Sequence, residues 1–128
     1  MRLLLDTHTL LWFLEDNPLL SAKARSAISD PSNQSYYSLV SIWEMSIKIS
    51  LGKLKTSSPL NPKFEENLNE QGVLQSVPSF EEVAGVQYLP FHHNDPFDRL
   101  LISQAMSSNA HHISKDDVFN SYNVKRLW

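Results

Sequence analysis

Apolar and polar positions along this chain switch between two periods. Residues 2–5 form a short continuous apolar run, the pattern of a buried strand. Residues 35–40, Ser-Tyr-Tyr-Ser-Leu-Val, concentrate aromatic and β-branched types and predict a second strand. Weaker candidates lie at 72–77 and 110–114, and 122–127 is placed to close the sheet. Between them the spacing becomes helical. Ala24, Ala27 and Ile28 share a face behind Ser21, and Phe64 and Leu68 share one behind Asn61-Pro62, an N-cap followed by proline at the first helical position. Ser79-x-x-Glu82 is a capping box opening a helix to Val86, and Asp95-Pro96 opens the strongest helix, through Leu100, Leu101 and Ala105. Residues 40–54 carry two signals. Ile47, Ile49 and Leu51 alternate as in a strand, whereas Ser41-x-x-Glu44 reads as a capping box and Gly52 stands where a helix stops; we read helix. Strands alternating with helices predict an α/β fold whose central, mainly parallel sheet has four to five strands flanked by helices.

Composition narrows the setting. At 128 residues, with no repeat and only the short Pro- and Ser-containing loop at 55–62 as a break, the chain reads as one domain. Hydrophobic residues at 41% and charged residues at 20% exclude a disordered tail or a fibre. The absence of cysteine excludes a disulfide scaffold, a thiolate metal site and a cysteine nucleophile. A net charge of −3 means that any nucleic-acid partner is met by local patches. The apolar start is interrupted by Asp6 and His8, too early for a secretory core or a membrane span, so a cytoplasmic protein without membrane association is expected.

The informative feature is where the acids fall. Asp6 follows the first strand, Glu44 is placed in the first helical turn after the second, Asp98 opens the long helix, and Asp116-Asp117 follow the fourth strand. In a parallel α/β sheet the carboxyl ends of strands and the starts of the following helices share one edge, where ligands bind. Each acid also has a local reading. Glu44 could complete a box with Ser41, Asp98 one with Asp95, and Asp117 one with Ser114, while Asp6 could stabilise a helix start. Caps, however, are spread over both ends of a domain, whereas these acids share one predicted edge. The pattern favours an acidic site for a hard divalent cation such as Mg²⁺ or Mn²⁺.

Four segments in order carry a resemblance. Leu-Leu-Leu-Asp-Thr-His at 3–8, Ser-Ile-Trp-Glu-Met-Ser-Ile-Lys at 41–48 with Leu-Gly-Lys-Leu at 51–54, His-Asn-Asp-Pro-Phe-Asp-Arg-Leu-Leu-Ile at 93–102, and Ser-Lys-Asp at 114–116 with Phe119 and Tyr122 resemble the PIN-domain family. The likeness is to its VapC-type members, the ribonuclease halves of toxin–antitoxin pairs, and runs the length of the chain. It implies that Asp6, Glu44, Asp98 and Asp116 are catalytic and hold Mg²⁺ or Mn²⁺. Asp95 matches an additional acid, weighed here mainly as a helix cap, and Ser114 stands where the family often has Thr. The sequence departs from the family at Lys115-Asp116-Asp117, where a small residue, an acid and often Pro are usual, so Asp117 competes with Asp116 for the inward position. The resemblance further implies hydrolysis of RNA phosphodiesters, a homodimer, and a small antitoxin partner.

Other features add less. Lys48, Lys53, Lys55 and Arg99 stand near Glu44 or Asp98 in sequence, and Lys48 and Arg99 are candidates for holding RNA phosphates. The five histidines lack the spacing of a zinc site, and the three glycines form no phosphate loop. Leu10-Leu-Trp-Phe-Leu14 is too apolar for a single core stripe and reads as part core, part partner surface. Two rival readings remain. One is a receiver domain phosphorylated on Asp, which would need paired acids after the first strand and an acceptor Asp after a middle one. The other is a PIN-like binding module without catalysis.

Overall fold

A computed structural model describes residues Met1–Trp128. Five strands form one sheet: β1 (Arg2–Leu5), β2 (Gln34–Ser38), β3 (Val73–Ser76), β4 (His111–Ile113) and β5 (Lys125–Leu127). Their spatial order is β3-β2-β1-β4-β5, and every neighbouring pair is parallel. Six α-helices lie between them: α1 (Thr7–Leu14), α2 (Ala22–Ser29), α3 (Leu39–Ser50), α4 (Pro62–Glu70), α5 (Phe80–Gly85) and α6 (Pro96–Ser108). No helix is long and apolar enough to cross a membrane.

Strand alternation sorts the core. Leu3 and Leu5 join the main apolar cluster, with Leu10, Ala24, Ile28, Met45, Phe64, Leu68 and Ile113. Leu4, pointing the other way, packs with Leu101 and Ala105 of α6. Both faces of β1 are therefore covered, which is why its sequence is a continuous apolar run. Trp12, Phe13 and Leu14 pack half-buried against the main cluster, and Trp12 also meets Trp128 with ring centres 5.9 Å apart.

Most caps are those the sequence advertises. Ser79 and Glu82 make both bonds of the capping box, and Asn61 caps α4 ahead of Pro62. Helix α3 differs. It starts at Leu39 immediately after β2, and its N-cap is Ser38, whose hydroxyl accepts from the Val40 amide at 3.1 Å. Ser41 is inside the helix and fully buried, so the expected Ser41–Glu44 box does not form and Glu44 lies in the second turn. Gly52, at φ +71°, ends α3 as expected: its amide and that of Lys53 return to the carbonyls of Ile49 and Lys48. The strand expected at 122–127 begins only at Lys125, because Tyr122 ends a 3₁₀ turn (Asp117–Ser121) with its ring buried.

His112 faces the layer beneath Phe119, ring centres 4.3 Å apart, with neither ring nitrogen hydrogen-bonded. Burial, opposed only by the charge of Asp6, lowers its pKa to about 4. The sign follows from linkage: the unfolded imidazole binds a proton near pH 6.5, the folded one only near 4, so stability is full above about 6.5 and lost as pH falls towards 4. Between pH 7 and 4.5 this site should remove about 2–3 kcal/mol from the unfolding free energy. Urea titrations at both pH values should show a smaller acid loss in His112→Leu than in the parent. Equal losses would show that His112 is not held neutral.

Candidate metal centre

The carboxyl edge of the sheet is built by short connections. Asp6 leaves β1 and caps α1 through Oδ1, which accepts from the Thr9 amide at 2.8 Å. The Asp6 amide bonds the Ile113 carbonyl at 3.1 Å, and the Thr9 hydroxyl donates to the same oxygen at 2.9 Å. These bonds tie the ends of β1 and β4 together, which brings Asp6 to the segment carrying Ser114 and Asp116.

Helix α3 enters from the other side. Glu44 is only 5% exposed, and its Oε1 accepts from the Thr7 hydroxyl at 2.8 Å. Thr7 lies 3.0 Å from the Ser41 hydroxyl as well. A threonine hydroxyl carries one proton, so with that proton on Glu44 the Ser41 hydroxyl supplies its own to Thr7. Thr7 and Ser41 therefore form a buried relay that fixes Glu44. Sequence reasoning missed Thr7 and misread Ser41. The available signal was two small hydroxyl residues placed where helices need no polar group. The other Glu44 oxygen pairs with Lys48, one turn along at 2.5 Å. That bond, with Asp95 and Asp98 beyond it, raises the Lys48 pKa against the opposing effect of partial burial. Lys48 thus stands at the acidic edge, though paired with a carboxylate rather than free.

Asp98 completes the cluster. It is half-buried, and its pKa is raised to about 7, first by burial and then by the charges of Asp95, Asp6, Glu44 and Asp116. Asp6, Glu44 and Asp116 come from separate segments of chain, and their effect on Asp98 puts each within electrostatic reach of it. Asp117 is not among them. Asp116 caps the 3₁₀ turn, its Oδ1 accepting from the Val118 amide at 3.0 Å, and its own amide donates to the buried Ser114 hydroxyl at 3.1 Å. The Ser114–Asp117 cap does not form, because Asp116 occupies the capping position one residue earlier.

Asp95 is exposed and caps α6, its Oδ1 accepting from the Asp98 amide at 2.9 Å. The Asp98 carboxylate does not return that bond; its Oδ2 lies 3.4 Å from His93 Nε2. Asp95→Ala should therefore cost about 0.5–2 kcal/mol of folding stability, as lost N-caps do, with smaller effect on the site. Denaturant unfolding checks this, and an unchanged midpoint would rule out the cap.

Arg99 does not serve as a surface cation. It is 4% exposed, and its guanidinium donates to the carbonyls of Pro90, His93, Val86 and Leu89 and to the Tyr122 hydroxyl. Phe91 covers it at 4.3 Å from the ring centre. The expected contact with RNA phosphate is corrected accordingly: Asp98 and Arg99 are adjacent on a helix and point about 100° apart.

No three acid or histidine side chains are already drawn together tightly enough to enclose an ion. The donor set nevertheless fits Mg²⁺ or Mn²⁺. All candidate donors are carboxylate oxygens, and such ions use one or two carboxylates directly while keeping several waters. Beyond burial, the four neighbouring carboxylates push the Asp98 pKa up further, and a divalent cation would offset that repulsion.

The sequence matches the PIN domain family over residues 3–125. The chain belongs to the PIN-domain family. A receiver domain is thereby set aside, and the PIN fold is the all-parallel, five-stranded sheet described above. No curated protein sequence matches it. Among solved structures, VapBC2 from Rickettsia felis bound to a DNA fragment from their promoter is similar at TM-score 0.70 and 15% identity, covering 100% of this chain and 98% of that one. VapBC-1 from nontypeable Haemophilus influenzae is similar at TM-score 0.57 and 17% identity, covering 98% of each chain. FitAcB from Neisseria gonorrhoeae is similar at TM-score 0.50 and 15% identity, covering 98% of this chain and 96% of that one. At these identities the likeness is one of fold.

Proposed function

We infer that this PIN domain is a Mg²⁺- or Mn²⁺-dependent endoribonuclease and the toxin of a toxin–antitoxin pair. The observation that carries the reading is the placement of Asp6, Glu44, Asp98 and Asp116 at the carboxyl edge of the sheet, where burial and then the neighbouring carboxylates raise the Asp98 pKa to about 7. A divalent cation at such a site offsets phosphate charge and makes water nucleophilic at neutral pH. The chain's own residues do the rest. Thr7 and Ser41 hold Glu44 in place, Asp6 is fixed by its capping bond, and Ser114 braces the Asp116 backbone. Lys48 has a partly exposed side chain beside the acids, and it is assigned to the RNA backbone. The reaction is hydrolysis of an RNA phosphodiester, leaving a 5′-phosphate and a 3′-hydroxyl.

A small antitoxin partner and a homodimer complete the proposal. Support comes from the solved neighbours, which include the VapBC complexes of Rickettsia felis and Haemophilus influenzae. Purified protein should cleave single-stranded or looped RNA with Mg²⁺ or Mn²⁺ and stop in excess chelator. Cleavage that continues undiminished in chelator would sink the mechanism. Co-expression with the neighbouring open reading frame should yield a stable complex that no longer cleaves RNA.

A further inference from the structure

The ring of His93 is held by one short bond whose direction can be worked out from its neighbours. The Tyr122 hydroxyl oxygen accepts from the His93 amide at 3.2 Å and from Arg99 Nη1 at 3.3 Å. Both of its lone pairs are then used, and its single proton remains to be placed. The two acceptors within reach are His93 Nδ1 at 2.7 Å and the His93 carbonyl at 3.5 Å. The shorter contact takes the proton. Nδ1 is therefore an acceptor, and the neutral ring carries its own proton on Nε2. That nitrogen is buried without a hydrogen-bond partner: Asp98 Oδ2 lies 3.4 Å from it, long for an N–H···O bond and off the line of the N–H.

We propose that His93 is a positioning residue for Asp98, its ring locked by Tyr122 and Arg99 with the Nε2 edge turned to the carboxylate, so that a small rotation of the Asp98 side chain on cation binding completes the bond. The inference rests on the cation-binding role proposed for Asp98. It gives the buried Arg99 a place in the same device. Arg99 Nη2 reaches the carbonyls of Val86 and Leu89, and the two protons of Nη1 are shared among the Pro90 and His93 carbonyls and the Tyr122 hydroxyl, which turns a lone pair of that hydroxyl towards the guanidinium. A carboxylate held by such a donor loses less rotational freedom when a cation binds, and groups in this role typically change metal affinity by about 10–100-fold.

Two substitutions separate the ring's two nitrogens. His93→Asn places an amide where Nδ1 was, keeping a partner for Tyr122 but falling short of Asp98. His93→Gln reaches the Nε2 position and keeps a donor for Asp98. Mn²⁺ titration followed by electron paramagnetic resonance reads the affinity, and metal-free thermal melts read the fold. His93→Asn should raise the Mn²⁺ dissociation constant about 10–100-fold, with His93→Gln close to the parent. A purely structural role would reverse that order, because Asn retains the Tyr122 contact. Parent-like binding by His93→Asn, or binding by His93→Gln as weak as that of Asn, overturns the proposal while leaving the metal site intact. A parent that binds no Mn²⁺ overturns the metal site and this inference together. Should His93→Asn fail to fold, Tyr122→Phe removes the proton that fixes the ring and should weaken Mn²⁺ severalfold; an unchanged constant there counts against the proposal equally.

Discussion

Asp98→Asn should abolish RNA cleavage and at the same time raise the melting temperature of the metal-free protein at pH 8. The loss of cleavage follows from removing one of four proposed cation ligands and should reach at least about 10²-fold, the usual scale for deleting a group that stabilises developing charge. The gain in stability follows from the raised pKa. An unfolded aspartate ionises near 3.8, whereas Asp98 in the folded protein ionises only near 7. The stability of the protonated form is therefore complete below about 3.8 and lost as pH rises through about 7. Above that, a crowded carboxylate costs the metal-free fold on the order of 2–4 kcal/mol. Asparagine is neutral throughout and escapes the loss. Added Mg²⁺ should reverse the ranking, since it stabilises only the protein that binds it, by about 2.7 kcal/mol at a hundredfold excess over its dissociation constant. Melts of both proteins at pH 6 and pH 8, with and without Mg²⁺, contain the whole test. If metal-free Asp98→Asn melts below the parent at pH 8, the carboxylates are not crowded and the common site is wrong.

Arg99→Ala should have the largest effect on folding. Its guanidinium donates to four backbone carbonyls and a phenol, and alanine would leave the carbonyls of Leu89, Pro90 and His93 without their main donor. Removing one partner from a buried charged network costs about 3–5 kcal/mol, a large share of the stability of a domain this size. Arg99→Lys should recover only part of it, because an ammonium has three donors and cannot span the fork that reaches from Val86 to Tyr122. Urea unfolding measures both. The sequence-based alternative, Arg99 on an RNA phosphate, predicts a stable protein with weaker, less salt-dependent RNA binding. That outcome would show that the buried network is not what holds this segment.

The difference between those two readings of Arg99 shows where sequence stops being informative. The apolar run at 2–5, the capping signals at Ser79, Asn61 and Asp95, and the stop at Gly52 are properties of neighbours a few residues apart, and their physics is local. They determine the strands, the helices and hence the edge at which Asp6, Glu44, Asp98 and Asp116 appear. The order of the acids along the chain was therefore legible, as was the hard-cation chemistry that carboxylates imply. What a polar side chain does once there depends on residues far away in sequence. Ser41 and Glu44 were read as a local cap because their spacing permits it. In the fold, Ser38 starts the helix, and Thr7, more than thirty residues away, takes both of them. In sequence Arg99 is a candidate for RNA phosphates, since arginine is mostly exposed. The 86–93 segment folds over it and turns four carbonyls to the guanidinium, three of which have no backbone donor. His93 likewise gains its direction only from Tyr122, which arrives from the far end of the chain. Sequence by itself determined the elements and the edge, because hydrophobic period and capping act over one or two turns. Tertiary structure alone decided the partners, because a hydrogen bond is satisfied by whatever the fold brings within 3 Å of it.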